Sequence, residues 1–219
     1  MSDRRGAATG WLASGEIQRR FVHASGALVP LAYVAGVVGW RVVQGVFVLG
    51  AAVAFVLEVL RLYVGLDWAI YDRLTREYES DNPAGYALYM LSMAGVALLC
   101  PSWAALPGMF MLAVGDPISG LLSSRSADEV KSPSTLLAMF VVSFGLAAPF
   151  LLAPALGVGV RGGVVLAPAV GALTAALGAA GATVADGVKP VVATYVIDDN
   201  LTIAPVACAL IWAAVAAVG

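Results

Sequence analysis

Val42-Val-Gln-Gly-Val-Phe-Val-Leu-Gly-Ala-Ala-Val-Ala-Phe-Val-Leu-Glu-Val-Leu60 carries a single charged side chain, Glu58. A helix of this length rises about 28 Å, close to the ~30 Å hydrocarbon layer of a bilayer. A helix apolar on every face is buried in a large core or in a membrane, and a chain of 219 residues has no core that large. Similar apolar runs flank this one, at 24–40 on one side and at 86–100, 103–122, 134–158, 162–185 and 201–218 on the other. The third, 86–100, is short for a full crossing. The expected architecture is therefore all-α: a polytopic integral membrane protein with about seven transmembrane helices. A hydrophobic content of 61%, a charged content of 12% and a mean hydropathy of +0.91 point the same way. One domain is expected over 1–219, with a polar N-terminal segment at 1–23, a polar loop at 61–85 and no internal repeat.

The charges set an orientation. Arg4, Arg5, Arg19, Arg20, Arg61, Arg73, Arg76, Arg125, Lys131 and Lys189 fall on one side of the seven-span arrangement, and only Arg41 and Arg161 on the other. By the positive-inside tendency the N-terminus and the basic loops are cytoplasmic and the C-terminus is outside. All fourteen acids lie on or near the same side as the ten basic residues. A multi-pass protein of the cell membrane with a polar cytoplasmic working face is expected. The net charge of −2 leaves no basic footprint for nucleic acid. Arg4-Arg5 precedes the first long apolar run by too much for a twin-arginine signal, so the N-terminal segment is expected to be retained. Cys100 and Cys208 have no metal-ligand spacing and read as small buried side chains.

Several acids sit where helices end. Asp116, in Ala113-Val-Gly-Asp-Pro-Ile-Ser-Gly120, comes about 20 Å into its span at ~1.5 Å per residue. A lone carboxylate there costs about 2–3 kcal/mol or more, so it must pair, bind a cation or face a wet pocket. Pro117 removes a helical hydrogen bond, and Gly115 and Gly120 allow close backbone approach. This combination suits a metal or phosphate site at a helix break; a kinked helix with a paired acid is the plainer alternative. Asp198-Asp199-Asn200 precedes the last run. One of the three serves as a helix cap, and two carboxylates with an amide also suit Mg²⁺. Asp186 closes the sixth run and Lys189 follows one turn later; each reads as an interfacial anchor or as part of that site. Glu58 and Arg61 share a helix face and read either as a helix-end ion pair or, with Glu58 pointing inward, as a site in which Glu58 is a base or metal ligand. His23, the only histidine, follows Arg19-Arg20, which are positive-inside residues or phosphate clamps. Arg73, Arg76, Glu77, Glu79 and Asp81, with Tyr71 and Tyr78, read as an interfacial stretch. There is no Walker A, protein-kinase glycine loop, G-x-S-x-G or zinc pattern.

In order along the chain these segments resemble the dolichol kinase and phytol kinase family of membrane enzymes. Its wider group includes CTP-dependent diacylglycerol kinases and is related to phosphatidate cytidylyltransferases. Glu16-Ile-Gln-Arg-Arg-Phe-Val-His-Ala-Ser-Gly26 is similar to an E-x-x-R-K-x-x-H-x-x-G motif. Glu58-x-x-Arg61, the stretch from Arg76 to Gly85-Tyr86, Gly115-Asp116-Pro-Ile-Ser-Gly120 with Lys131-Ser132, and Asp199-Asn200-Leu-Thr-Ile-Ala-Pro205 follow. The chain departs from the pattern in places. Ser119, Ser123 and Ala127 replace an Ala and two Gly of a CTP-associated motif, Thr135 replaces a Gly after Lys131-Ser132, and Asp186 replaces a Glu. The departures bear on the nucleotide donor.

The resemblance implies a single transmembrane catalytic domain that transfers the γ-phosphoryl of CTP, with Mg²⁺, to a polyprenol- or dolichol-like alcohol at the cytoplasmic face. Asp116, Asp186, Asp199 and Asn200 would hold the metal. Arg19, Arg20, Arg61, Arg76, Gly115, Ser119, Gly120, Lys131, Ser132 and Lys189 would bind nucleotide and phosphate. The catalytic candidates are Asp116, Glu58 and His23, with either Glu58 or His23 accepting the alcohol proton. A cytidylyltransferase making a CDP-lipid is the nearest rival. A transporter is a second, disfavoured because its charges would gather near the midplane between repeats.

Overall fold

The computed structural model describes residues 20–65, 68, 71, 75, 79, 82–123, 131–188, 191–192 and 195–218. Residues 20–25 are helical and turn at 26–27 into α1 (Leu28–Val34). Then come α2 (Trp40–Leu62), α3 (Gly85–Leu99), α4 (Ser102–Leu122), α5 (Pro133–Leu151) and α6 (Pro168–Gly187). A two-residue antiparallel pair, β1 (Val191–Val192) and β2 (Tyr195–Val196), leads into α7 (Asp199–Ala216).

The breaks between helices follow from local chemistry. Gly36, at φ +80°, ends α1 in a left-handed turn: its N–H bonds Tyr33 O, and the N–H of Val37 reaches back to Ala32 O. That pair of bonds is the Schellman stop, which favours glycine. Cys100 precedes Pro101 and is extended, as the proline ring requires, so α3 stops there. Pro133 and Pro168 open α5 and α6 at positions where no N–H is needed. Gly157, at φ +78°, closes a 3₁₀ turn at Ala153–Leu156.

These breaks revise the expected spans. Among the described residues, five helices are long and apolar enough to cross a membrane: α2, α4, α5, α6 and α7. The run at 24–40 is not one helix, because the turns at 26–27 and at Gly36 confine α1 to seven residues. Helix α3 is apolar but has only 15 residues. The expected 134–158 span ends at Leu151 and the expected 162–185 span begins at Pro168, because the Gly- and Pro-rich stretch between them is a 3₁₀ turn followed by irregular chain.

Helix α4 is the centre. Of its apolar window 67% is buried inside the protein, against 22% for the peripheral α2. Helix α7 packs on α6, α4 and α3; α5 packs on α6 and α4; α2 lies on α3. Glycines let these backbones touch, as in membrane helix pairs generally. Gly171 faces the carbonyl of Leu151, and a Cβ on Gly178 would fall 2.6 Å from the Ile211 side chain. Cys100 and Cys208 form a disulfide between the end of α3 and the middle of α7. The sequence reading left them unpaired; 108 residues separate them, and only the packing of α3 on α7 brings them together.

Gly108 is the tightest crossing of α4 and α7, where a Cβ would lie 2.7 Å from Ala204 O. Gly108→Ala is expected to destabilise the protein by about 1–3 kcal/mol, read as a lowered melting temperature in detergent. Gly45→Ala, on an open face of α2, is expected to leave the melting temperature unchanged or slightly raised.

Candidate active site at one end of the bundle

Alternate helices deliver the same end to one place. Helices α2, α4 and α6 finish there and α3, α5 and α7 begin there, as the contacts of Glu58 with Ala84, of Ser119 and Lys131 with Asp186, and of Gly85 with Asn200 show. Three of these ends carry an aspartate. Asp116 lies in the last part of α4, Asp186 at the end of α6 and Asp199 at the start of α7. One carboxylate oxygen from each lies within 4.8 Å of the others. The β1–β2 pair makes this possible by returning the chain from Asp186 to Asp199.

At such separations two ionised carboxylates repel by about 3 kcal/mol per pair at an effective dielectric near 20. Asp199 is eased by the N-terminus of α7, but Asp186 sits at a helix C-terminus, where the macrodipole opposes a negative charge. Asp186 is also buried, at 1% exposure. Lys131 answers it: Nζ lies 2.5 Å from Asp186 Oδ1 and 3.1 Å from Ser119 Oγ, and Ser119 donates to Asp186 Oδ2 at 2.7 Å. Lys131 is thus paired with one of the three carboxylates, and the Arg20 guanidinium lies beside Gly120 on the same helix as Asp116.

The backbone around Asp116 is adapted to this. Met111–Gly115 forms a π turn inside α4, a feature that often marks functional sites. The N–H of Asp116 bonds Met111 O instead of Leu112 O, and Pro117 has no N–H to offer. Leu112 O is met by a side chain instead, His23 Nε2 at 2.9 Å. A carbonyl only accepts, so Nε2 carries the proton. The same nitrogen lies 3.6 Å from Asp116 Oδ2. Tyr89 holds the histidine from behind, with ring centroids 4.3 Å apart and its hydroxyl donating to His23 O. Gly26 is required there, since a Cβ would overlap the Tyr89 hydroxyl. Gly115 packs against Met139 and Ser143 of α5, and Gly120 lies under the Arg20 guanidinium, 3.4 Å from where its Cβ would be. Ser132 caps α5 by accepting from Thr135 N.

A second polar cluster borders the first. Glu58 is buried and accepts four hydrogen bonds. Arg61 Nε and Nη2 donate at 3.1 and 2.7 Å, Tyr86 Oη at 2.5 Å and Ala84 N at 3.1 Å. Arg61 also donates to the carbonyls of Glu79 and Asn82. The pair thus fastens the end of the 61–85 loop to α2. Glu79, buried at 5%, accepts from Gly85 N at 3.3 Å. Gly85 lies against Asn200, the residue after Asp199; a Cβ there would fall 2.9 Å from Asn200 Nδ2 and 3.4 Å from Glu79 Oε1. Asp198 Oδ1 caps α7 and accepts from Asn200 N and Nδ2. Among the described residues, the buried Oδ1 of Asn200 accepts no hydrogen bond.

The expected site residues thus divide. Asp116, Asp186, Asp199, Lys131, Ser119 and His23 converge; Arg20 and Gly120 meet beside them; Asn200 links them to the second cluster. Glu58 and Arg61 are engaged with each other and the loop. Arg19, Arg76 and Lys189 lie outside the described residues. Glu79 and Tyr89 were not singled out as site residues. Glu79 was one charge in a mixed-charge stretch and Tyr89 one aromatic in an apolar run, and nothing local distinguishes either.

The donor set suits a hard divalent cation. Oxygens bound to one Mg²⁺ at about 2.1 Å stand roughly 3–4 Å apart, close to the spacing of the three carboxylates, and Asn200, whose buried Oδ1 accepts no hydrogen bond among the described residues, follows Asp199 in the chain. Compared with models of known protein families, with curated sequences and with solved structures, the chain matches none.

Removing Arg61 alone strands a buried carboxylate. Arg61→Met is expected to cost about 3 kcal/mol of stability, and Glu58→Gln combined with Arg61→Met to recover much of that. Thermal unfolding in detergent measures both. An equal loss in the single and double variants would mean that the loop contacts, not the stranded charge, set the cost.

Proposed function

We propose that this chain is a membrane-embedded phosphotransferase that moves the γ-phosphoryl group of a nucleoside triphosphate, with CTP as the expected donor, onto a polyprenol- or dolichol-like alcohol. The observation that carries the reading is the convergence of Asp116, Asp186 and Asp199 with a lysine locked among them. Phosphoryl transfer asks a protein mainly for positioning and charge neutralisation, and these groups offer both. Asp116, Asp186 and Asp199, with Asn200 beside them, would hold Mg²⁺. When bound, the ion supplies positive charge for the triphosphate oxygens.

The chain's own residues do the rest. Lys131 and Arg20 flank Ser119 and Gly120 on α4 and present two cations beyond the carboxylates, where phosphate oxygens would be met. His23 fixes the π turn that carries Asp116. The surrounding apolar helices admit a lipid alcohol from the side, while the nucleotide arrives from the aqueous end. Seven membrane passages, with α3 and the broken 20–34 segment counted among them, and a cytoplasmic site remain the topology that the distribution of Lys and Arg favours.

The test uses purified protein in detergent with Mg²⁺, a panel of long-chain isoprenoid alcohols, and γ-labelled CTP and ATP in parallel. Label is expected to enter the lipid phase from CTP. Asp116→Asn is expected to lower this transfer by roughly 100-fold or more, with a melting temperature that does not fall, since one of three repelling charges is removed. Pyrophosphate release with a phospholipid acceptor would instead make the protein a cytidylyltransferase. Neither product, with folded protein, would overturn the enzyme reading.

A further inference from the structure

Lys131 and a divalent cation would use the same carboxylate, that of Asp186. The Asp186 side chain has no exposed surface, so its charge needs a partner inside the protein at all times. Lys131 supplies one. Its Nζ lies 2.5 Å from Oδ1, and Ser119 Oγ accepts from the same ammonium at 3.1 Å while donating to Oδ2 at 2.7 Å. One oxygen of Asp186 also lies within 4.8 Å of a carboxylate oxygen of Asp116 and of Asp199, the grouping that a cation would join. Whichever oxygen that is, it already has a donor: the ammonium on Oδ1 or the Ser119 hydroxyl on Oδ2.

Two positive charges on one carboxylate repel each other. A metal bond of about 2.1 Å to Oδ1 would bring them within roughly 5 Å. The two carboxylate partners differ in freedom. Asp186 is fixed at the end of α6, whereas the Lys131 ammonium rides on a flexible four-carbon stem and its side chain is 13% exposed. Lys131 is therefore the group that can give way. Its second partner, Ser119, precedes Gly120, and the Arg20 guanidinium lies 3.4 Å from where a Cβ on Gly120 would be. An ammonium that leaves Asp186 on the Ser119 side joins a second cation there.

We infer that Lys131 is an exchangeable counter-ion: it neutralises Asp186, yields that carboxylate to a divalent cation, and turns its ammonium to the phosphate oxygens of the nucleotide. The turn to phosphate rests on the phosphotransferase reading; the exchange at Asp186 requires only that a cation binds there. Asp186 stays paired throughout. The cation alone is held weakly, because Lys131 must give up its partner, and a triphosphate offers the displaced ammonium a new one.

Lys131→Met removes the ammonium and keeps an unbranched apolar stem. Mn²⁺ binding is followed by electron paramagnetic resonance, and unfolding by thermal melting in detergent. Without a divalent cation the variant is expected to melt below the wild type, because Asp186 is stranded. It is expected to bind Mn²⁺ about 10-fold tighter or more and to gain more melting temperature from Mn²⁺ than the wild type does. In label transfer its KM for CTP is expected to rise; an unchanged KM would overturn the turn to phosphate. A folded variant that binds Mn²⁺ no tighter than the wild type overturns the exchange and makes Lys131 a fixed support, with the phosphotransferase reading left standing. If the variant does not fold, the wild type carries the test. The chain has two lysines, Lys131 and Lys189, so mass spectrometry resolves the modification of Lys131 by an amine-reactive reagent. Mg²⁺ is expected to speed that modification several-fold, and Mg²⁺ with CTP to slow it again. A rate that Mg²⁺ does not move overturns the exchange. Absence of Mn²⁺ binding in the wild type and the variant alike removes the cation site and the inference with it. Exchange without label transfer to any alcohol supports the inference at Asp186 and overturns the phosphotransferase reading.

Discussion

Three carboxylates on three different helices repel one another, and they are held together at one end of a bundle in which most other side chains are apolar. Their repulsion is the constraint to which the surrounding structure is fitted. Lys131 and Ser119 are committed to Asp186, the most deeply buried of the three. Asp199 stands at a helix N-terminus, where the backbone favours negative charge. Asp116 has the His23 Nε2–H nearby. A cation bound by the folded cluster would stabilise the fold, because anything that binds the native state alone shifts the folding equilibrium towards it.

The geometry of Asp116 comes from its backbone. A proline directly after the aspartate would break an ordinary α-helical ladder. Here the π turn and the histidine together absorb the break, because the carbonyl that loses its backbone donor gains a side-chain donor. Residues 20–25 are therefore part of this polar cluster. His23 supports the turn, Tyr89 supports His23, and Arg20 reaches over Gly120 from the same short helix.

The polar loop is tied in by a different device. Glu58 and Arg61 look like a helix-end ion pair, but their hydrogen bonds reach Glu79, Asn82, Ala84 and Tyr86. The pair converts the end of a span into a clamp on the following loop, and the clamped loop meets Asn200 through Gly85. The two polar clusters thus adjoin at Gly85, between Glu79 and Asn200.

The sequence alone determined the helical class and its long apolar runs, since the 19 residues from Val42 to Leu60 carry one charge and are long and apolar enough to cross a membrane. It also showed where breaks and charges fall: Gly-Asp-Pro at 115–117, Asp-Asp-Asn at 198–200, and the lone histidine. Composition and spacing act locally, so they are legible. They overestimated continuity at 24–40, because hydropathy does not register the Schellman turn at Gly36. Only the tertiary structure decided which carboxylates meet, that Lys131 belongs to Asp186, that Glu58 is a clamp, that Cys100 reaches Cys208, and that Glu79 comes to Asn200. Each of these depends on helix ends brought together by packing between residues far apart in the chain, and no local pattern records such a distance.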